Sequence, residues 1–250
     1  MKLMAKLNPK VIFHDDHVIA VAKPPGLLSI AHRFDLNQPH LAGWLSNQFG
    51  DIFPVHRLDR ETSGILVFAR NADAHRMLNQ QFEDRTVVKE YRAICQGVFP
   101  SDERTIDLRL EYSDGRGRSV VTRSGKEAVS HVYVIERFKN ATYLRIEIET
   151  GRTHQIRAHL EGIQYPLLVD AVYGGEEAFY LSSVKKRKFN LKRDTEERPL
   201  LTRTPLHSFR LNCDHPLNGE RMTFEAPLPK DMSATLNQLR KWAGRTDQFN

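Results

Sequence analysis

The chain has 250 residues, 40% of them hydrophobic, and 37 Lys and Arg against 31 Asp and Glu give a formal net charge of +6. This length can bury a core in one large domain or two small ones, and we expect a single domain over residues 1–250. The charge suits a polyanionic partner without requiring one. Two distant cysteines exclude a disulfide framework, and no apolar run approaches the ~20 residues of a membrane span, so a reducing cytoplasm is the simplest location.

The first predicted elements are two strands and a helix. Apolar segments at 11–13 and 18–22 flank a polar His-Asp-Asp-His run at 14–17 and predict strands joined by a tight turn. We favour a turn over a metal site there, because adjacent residues of a hairpin turn point apart. The Lys-Pro-Pro-Gly run at 23–26 ends the second strand. Apolar residues at helical spacing in 41–49 predict a helix with one buried face.

A short apolar run at 64–69 predicts a buried central strand. The segment after it has an apolar stripe at helical spacing and predicts a helix, with Asn71 or Asp73 as its N-cap. The polar residues that precede the strand are therefore expected in a loop that enters the core.

The remaining predicted elements continue this mixture. A strand is expected at 89–98 and an antiparallel hairpin at 128–138 and 142–149, because apolar and charged residues alternate in the last segment. Helical spacing returns at 153–163 and in a C-terminal helix at about 233–243. Since strands and helices mix without a regular β-α-β alternation, we predict an α+β fold with a mixed, largely antiparallel central sheet flanked by helices.

One acid dominates the loop before the buried strand. Asp59 lies between Arg57 and Arg60, directly ahead of the apolar run. Nearby positive charge keeps a carboxylate ionised even when it is withdrawn from water. Because a desolvated, charged carboxylate is a natural nucleophile or base, Asp59 is the first candidate catalytic residue.

The same loop resembles a known motif. The run His-Arg-Leu-Asp-Arg-Glu-Thr-Ser-Gly at 56–64 resembles the active-site motif of the RsuA/RluA-type pseudouridine synthases, which isomerise uridine in structured RNA. Four more segments match elements of that family in its order: Lys-x-Tyr at 89–91, Gly-Arg-x-His-Gln-Ile-Arg at 151–157, Asp-x-x-Tyr-Gly at 170–174, and a closing strand with a His-Pro turn at 206–216. The resemblance runs from residue 12 to about 227. It points to the RluA-like branch, here expected without the N-terminal S4-type RNA-binding module of many relatives.

The resemblance implies a role for each matched residue. Asp59 would act at C1′ of the uridine, either as a nucleophile or by taking a sugar proton, so that the uracil detaches, rotates and rejoins through C5. Tyr91 would stack on the uracil and offer its hydroxyl for proton transfer at C5, while Arg157 would pair with Asp59. Arg57 would fill the space left by the flipped nucleotide. Ordinary strand packing of Tyr91 and an Arg57–Asp59 salt bridge are the alternatives.

Further RNA contacts are expected from residues beside these motifs and from a basic insertion at about 175–203. The motif residues are Arg60, His56, Thr62, Arg152, His154 and Gln155, of which His56 and Thr62 are interpreted as shaping the loop. The insertion supplies Lys185, Lys186, Arg187 and Lys188. A solvated surface loop is at least as common an explanation for such a charge run.

The function implied is that of an RNA pseudouridine synthase acting on ribosomal or transfer RNA. An isomerisation needs no redox agent or nucleotide cofactor, and we expect no metal, because His154 and His159 depart from the i, i+4 spacing of a helical zinc pair. Nothing demands more than a monomer. Two alternatives stay open: a catalytically silent RNA-binding or ribosome-assembly protein with the same fold, and an RNA N-glycosidase that frees uracil.

Overall fold

The computed structural model describes residues 7–32, 35, 38–113, 115, 117–185 and 196–244. These residues group into two compact units. The first contains the chain up to Tyr91 together with 147–149 and 207–227, and the second contains 92–146, 150–206 and the chain from 228 onward. The single catalytic domain expected from the sequence stays a prediction.

Twelve strands and five helices are assigned within the described ranges. The strands are β1 (Lys10–His14), β2 (Val18–Lys23), β3 (Phe53–Pro54), β4 (Ser63–Ala69), β5 (Val88–Gln96), β6 (Glu103–Asp107), β7 (Leu110–Ser113), β8 (Arg118–Val121), β9 (Val129–Arg137), β10 (Ala141–Ile148), β11 (Leu206–Asp214) and β12 (Arg221–Glu225). The helices are α1 (Leu41–Phe49), α2 (Ala72–Glu83), α3 (Gln155–Gly162), α4 (Ser182–Lys185) and α5 (Lys230–Ala243).

In the first unit, β1, β2, β4 and β11 are neighbours in that order, β3 pairs with β4, and β12 pairs with β11. The β4–β11 pairing is parallel, whereas β1–β2, β2–β4, β3–β4 and β11–β12 are antiparallel. All seven residues of β4 are buried, as expected for its unbroken apolar sequence. The prediction of an α+β fold with a mixed, largely antiparallel sheet is confirmed.

The helices of the first unit begin where side chains satisfy their terminal N–H groups. The Asn71 side chain accepts a hydrogen bond from the Ala74 N–H at 2.8 Å, so Asn71 is the N-cap of α2. Ala74 and Leu78 on its inner face join the core cluster that contains Val67. This packing places α2 against the unit's sheet and fixes the far end of β4.

In the second unit, the neighbouring strands are β5 from Arg92 onward, β10 up to Ile146, β9 and β6. The predicted hairpin at 128–149 is present as β9 and β10. Helix α5 begins at Lys230, three residues before the predicted start, and buries Met232, Leu236 and Leu239. Among the helices of the described ranges, none is both long and apolar enough to cross a bilayer.

The segment at 110–126 and the basic insertion are described to different extents. Residues 113–126 contribute to a separate antiparallel hairpin, in which β7 pairs with β8 and Tyr112 lies opposite Ser119. The Gly, Arg and Ser residues there lack the alternation by which strands are recognised, so periodicity missed it. In the basic insertion, Lys185 ends the short helix α4, whereas the expected contacts at 186–188, namely Lys186, Arg187 and Lys188, lie outside the described residues.

Gly64 is required where β4 and β11 run side by side. Its φ is +114°, and a Cβ at this position would lie 2.6 Å from the carbonyl carbon of Ser208. We expect Gly64→Ala to lower the free energy of unfolding by more than about 2 kcal/mol, measured by chemical denaturation. Gly115→Ala is the control, because its Cβ would meet no atom of the described residues within 4 Å. Equal losses in the two variants would contradict the close approach.

Candidate active site

Asp59 lies in the loop between β3 and β4, in the first unit. Its side chain is half-buried, whereas the flanking Arg57 and Arg60 are exposed. The Asp59 carbonyl accepts a hydrogen bond from the Thr62 N–H at 3.1 Å, which closes a turn around the acid. The loop therefore presents one partly shielded carboxylate between two cations that reach into solvent.

A buried lysine ammonium holds this loop. Lys23 is 2% exposed, and its Nζ donates to the carbonyl oxygens of Leu27 at 2.7 Å, Arg60 at 3.0 Å and Pro24 at 3.1 Å. A desolvated ammonium is tolerated when acceptors replace its water. The Gly26 N–H also donates to the Arg60 carbonyl, at 2.9 Å. The residue next to Asp59 is thus tied to the turn that follows β2.

Two side chains hold the start of the loop. The Ser29 hydroxyl donates to the Leu58 carbonyl at 2.8 Å and accepts from the Leu58 N–H at 3.0 Å. His56 Nε2 accepts from the Val67 N–H at 3.0 Å, and its ring stacks on Phe82 with centroids 4.9 Å apart. Burial, and secondarily the charge of Lys89, lowers the pKa of His56 to about 3. The imidazole is therefore neutral and shapes the loop.

Tyr91 lies on β5, 7% exposed, and belongs to the same unit as Asp59. Its hydroxyl is hydrogen-bonded to the Ser208 side chain. Burial raises the pKa of Tyr91 well above its ordinary value, and the negative charge of Asp59 raises it further. The phenol consequently stays protonated, in the electrostatic field of the Asp59 carboxylate.

A serine and a histidine join β4 to β11 at the end of the loop. The Ser63 hydroxyl is 2.9 Å from His207 Nδ1, and His207 Nε2 is 3.0 Å from the Ala226 carbonyl oxygen. Because a carbonyl only accepts, Nε2 of the ring carries a proton, and in the neutral ring Nδ1 accepts from Ser63. Next to this pair, the buried Thr62 hydroxyl has no hydrogen-bond partner within the described part of the chain.

The second unit contains a buried ion pair. Arg157, on α3, donates from Nε and Nη2 to the two carboxylate oxygens of Asp170 at 2.7 and 2.8 Å. The Asp170 side chain is 1% exposed, and the guanidinium lies 4.8 Å from the centroid of the Tyr173 ring. This two-point geometry fixes the direction in which Arg157 points.

The residues before and at the start of α3 are held from several sides. The buried Gln155 amide accepts from the Thr150 hydroxyl and the Arg152 N–H, and it donates to the Val129 carbonyl and the Ser130 hydroxyl. All its hydrogen-bonding positions are thus engaged inside the unit. Its geometry supports a role in shaping the segment, and a contact with RNA stays a prediction.

His154 precedes the helix with a positive φ of 54°, and its Nδ1 is 3.1 Å from the Tyr173 hydroxyl. The Arg152 Nε donates to the Glu127 carbonyl at 2.9 Å. Both side chains are half-buried, so part of each faces solvent.

The sequence of residues 17–162, more than half of the chain, matches the family model described as RNA pseudouridylate synthase. The chain belongs to the RNA pseudouridylate synthase family. The resemblance drawn from the loop and its four companion segments is thereby confirmed.

Relatives in this family include ribosomal large subunit pseudouridine synthase D of Neisseria meningitidis serogroup B, 36% identical over 94% of this chain. The Pseudomonas aeruginosa protein of that name is 38% identical over 96%, and an uncharacterised RNA pseudouridine synthase of Bacillus subtilis is 36% identical over 96%. The chain spans 62% of the Neisseria relative and 74% and 75% of the other two. Human RNA pseudouridylate synthase domain containing 4 shares the fold, with a TM-score of 0.69 at 22% identity, covering 96% of this chain and 95% of that one.

The structure distributes the predicted site residues of this family member between the two units. The first unit holds His56, Arg57, Asp59, Arg60, Thr62 and Tyr91, and the second holds Arg152, His154, Gln155, Arg157 and Lys185. Asp59 and Tyr91 interact electrostatically, as expected of a shared site. The pairing of Arg157 with Asp59 stays a prediction, and Asp170 is a partner of Arg157 that sequence reasoning did not identify.

Sequence reasoning also missed the residues that hold the Asp59 loop, chiefly Lys23, Ser29 and His207. Only Lys23 leaves a signal, because a lysine directly after the apolar run of β2 is unusual for a buried strand. The bonds of Ser29 to Leu58 and of His207 to Ser63 join residues 29 and 144 positions apart, and no local pattern encodes them.

Because the pKa of His56 is lowered, the free energy of unfolding depends on pH in the acidic range. Unfolded His56 gains a proton near its ordinary pKa of 6.5, whereas the folded ring does so only near 3, so stability falls as pH drops between these values. Gln at this position keeps an acceptor for the Val67 N–H but does not titrate. We expect the stability advantage of the wild type over His56→Gln to shrink as pH falls from 6.5 towards 3, measured by urea unfolding. A pH-independent difference would contradict this.

Removal of Asp170 would leave a buried guanidinium without its carboxylate. We expect Asp170→Asn to lower the free energy of unfolding by about 3–5 kcal/mol. Asp214→Asn, which breaks the exposed Arg221–Asp214 pair, is the control and should cost less than about 1 kcal/mol. Thermal and urea unfolding of both variants measure the difference, and a loss at Asp170 no larger than at Asp214 would refute the assignment.

Proposed function

We propose that this chain is an RNA pseudouridine synthase that isomerises uridine in ribosomal RNA through Asp59. The observation that carries the proposal is the half-buried carboxylate of Asp59 acting electrostatically on the buried, protonated phenol of Tyr91. The names of the Neisseria and Pseudomonas relatives support ribosomal RNA as the substrate, ahead of transfer RNA.

The reaction breaks the bond between N1 of the uracil and C1′ of the ribose and forms a bond between C5 and C1′. Overall, the proton on C5 is lost and N1 gains one, so no oxidant, reductant or other reactant is consumed. As the first bond breaks, positive charge develops at C1′. The Asp59 carboxylate stabilises that charge and either forms a covalent bond to C1′ or takes a sugar proton, which it returns when C5 joins C1′. Either route requires that the carboxylate be held in place, and the bonds of Lys23 and Ser29 to its loop do so.

Tyr91 acts in its protonated form. Because its pKa is raised, a phenolate base is scarce at neutral pH, and the phenol instead offers a flat apolar face and a hydrogen-bond donor. The face stacks on the uracil after it detaches, and the hydroxyl, held by Ser208, orients it. The resemblance implied stacking and proton transfer at C5 for Tyr91. The raised pKa favours stacking and hydrogen bonding by the phenol over removal of the C5 proton by a phenolate.

Arg57 and Arg60 are the cations that meet the RNA around the target. Both are exposed beside the half-buried acid, so they can reach a helix whose nucleotide has flipped out. A guanidinium stacks on bases and pairs with phosphate, and both contacts would hold the opened RNA.

Tritium release from RNA labelled at C5 of uridine tests this function, because the C5 proton leaves only if isomerisation proceeds. We expect Asp59→Asn to reduce release by at least about 10³-fold while RNA affinity stays within about 3-fold of the wild type. Asp51→Asn, at an exposed acid before the same loop, is the matched control and should react normally.

The alternatives give different outcomes in this assay. A catalytically silent RNA-binding protein would bind RNA without release from the wild type. An N-glycosidase would liberate free uracil and leave abasic RNA. Normal release by Asp59→Asn would show that another residue carries the chemistry.

A further inference from the structure

The second unit contains a cavity. It has a volume of about 460 Å³ and is enclosed by the β7–β8 hairpin, the loop at 124–126 and the segment 151–153 that leads into α3. This size falls in the range of roughly 300–1,000 Å³ typical of small-ligand pockets. Because the lining segment 151–153 is the first part of the family motif at 151–157, the cavity adjoins the residues that lead to Arg157.

The walls of the cavity are held by backbone hydrogen bonds. Leu110 and Lys126 exchange two such bonds, of 2.9 and 2.8 Å. The loop at 124–126 approaches the backbone of β7 so closely that a Cβ at Gly125 would lie 2.6 Å from the Leu110 carbonyl carbon. On the other side, the Ser119 hydroxyl donates to the Thr153 carbonyl at 2.5 Å. The space between these walls is therefore formed before a ligand arrives.

An exposed tyrosine lines the cavity. Tyr112 lies on β7, and its side chain is 47% exposed. Its ring meets the His154 ring edge-on with centroids 6.3 Å apart, and His154 is in turn held by the buried Tyr173. Tyr112 is thus supported at one side while much of its surface stays open to a ligand.

Two cationic residues share the cavity lining with this ring. Arg152 lines the cavity with its Nε bound to the Glu127 carbonyl, and the exposed Lys126 lines it from the neighbouring loop. Among the described residues of the lining the one acid is Glu111, which accepts hydrogen bonds from the hydroxyls of Thr122 and Ser124. The two cations outnumber it, so the lining favours an anion that also carries an aromatic group.

We propose that this cavity binds one unpaired nucleotide of the RNA substrate, with its base on Tyr112 and its phosphate on Arg152 and Lys126. The assignment rests on the proposed function for its choice of RNA. An aromatic ring next to cations is the arrangement by which proteins hold single-stranded bases, since every base has a face that stacks. Paired bases hide that face, so the site selects an unpaired position. A free nucleotide offers the same base and phosphate, and a comparison of its affinity with that of RNA distinguishes the two ligands.

Gly151 offers a way to block the cavity. Gly151 lines the cavity, and a Cβ there would meet no atom of the described residues within 4 Å, so Gly151→Met adds bulk at the lining without a backbone clash. Gly115→Met is the matched control, because within the described part of the chain its Cβ also meets nothing within 4 Å and Gly115 is not part of the lining. Tyr112→Ala and Tyr112→Phe test the ring itself. Should Gly151→Met fail to fold, the result for Tyr112→Ala alone tests the proposal.

Affinity for a fluorescent RNA hairpin with an unpaired loop is measured by anisotropy, with uridine monophosphate as the free-nucleotide probe. We expect Gly151→Met and Tyr112→Ala to weaken RNA binding by about 5- to 100-fold, with Tyr112→Phe and Gly115→Met within about 2-fold of the wild type. Unchanged affinity in folded Gly151→Met and Tyr112→Ala would overturn the proposal. Uridine monophosphate binding as tightly as the hairpin, and lost in Tyr112→Ala, would overturn the assignment to RNA.

Tritium release by the wild type separates this site from the proposed function. Release by the wild type, together with unchanged RNA affinity in Tyr112→Ala, would refute the cavity and leave the function standing. No release, together with RNA affinity that depends on Tyr112, would support the cavity and refute the function.

Discussion

The buried ammonium of Lys23 is the constraint on which the Asp59 loop depends. Three carbonyl oxygens, from Pro24, Leu27 and Arg60, surround it within 3.1 Å. A charge withdrawn from water keeps such acceptors close, because losing one exposes the desolvation cost of the cation. The bond to Arg60 therefore fixes the backbone next to Asp59 to the end of β2, and hence to the core of the first unit.

The second unit uses buried charge in the same way. The two-point pair between Arg157 and Asp170 directs a guanidinium at the start of a helix, and a similar pair between Arg203 and Asp231 joins a loop to the first turn of α5. Pairs of this kind contribute little net stability but specify one geometry, because each partner alone would be a stranded charge. Positioning by buried charge is thus common to both units.

Local sequence patterns predicted much of this fold. Features that depend on contacts between residues distant in sequence were not predicted. Periodicity identified β4 as a buried strand, and residue type narrowed the N-cap of α2 to Asn71 or Asp73, because both features are set by neighbours in sequence. Periodicity failed for the β7–β8 hairpin, whose Gly-rich sequence lacks alternation. The family motif named Asp59 and Tyr91 as candidates, whereas the pairing of Arg157 with Asp170 and the bond from Lys23 to the Arg60 carbonyl depend on tertiary packing, which no spacing in the sequence encodes.

Amide hydrogen exchange in a Lys23→Met variant tests most directly whether this ammonium positions Asp59. Methionine keeps the apolar stem but offers nothing to the three carbonyls. The account predicts faster exchange in peptides that cover residues 24–27 and 57–62, with the interior of β4 and α2 unchanged. Wild-type exchange at 57–62 in the folded variant would contradict it, since the loop would then be held without the lysine.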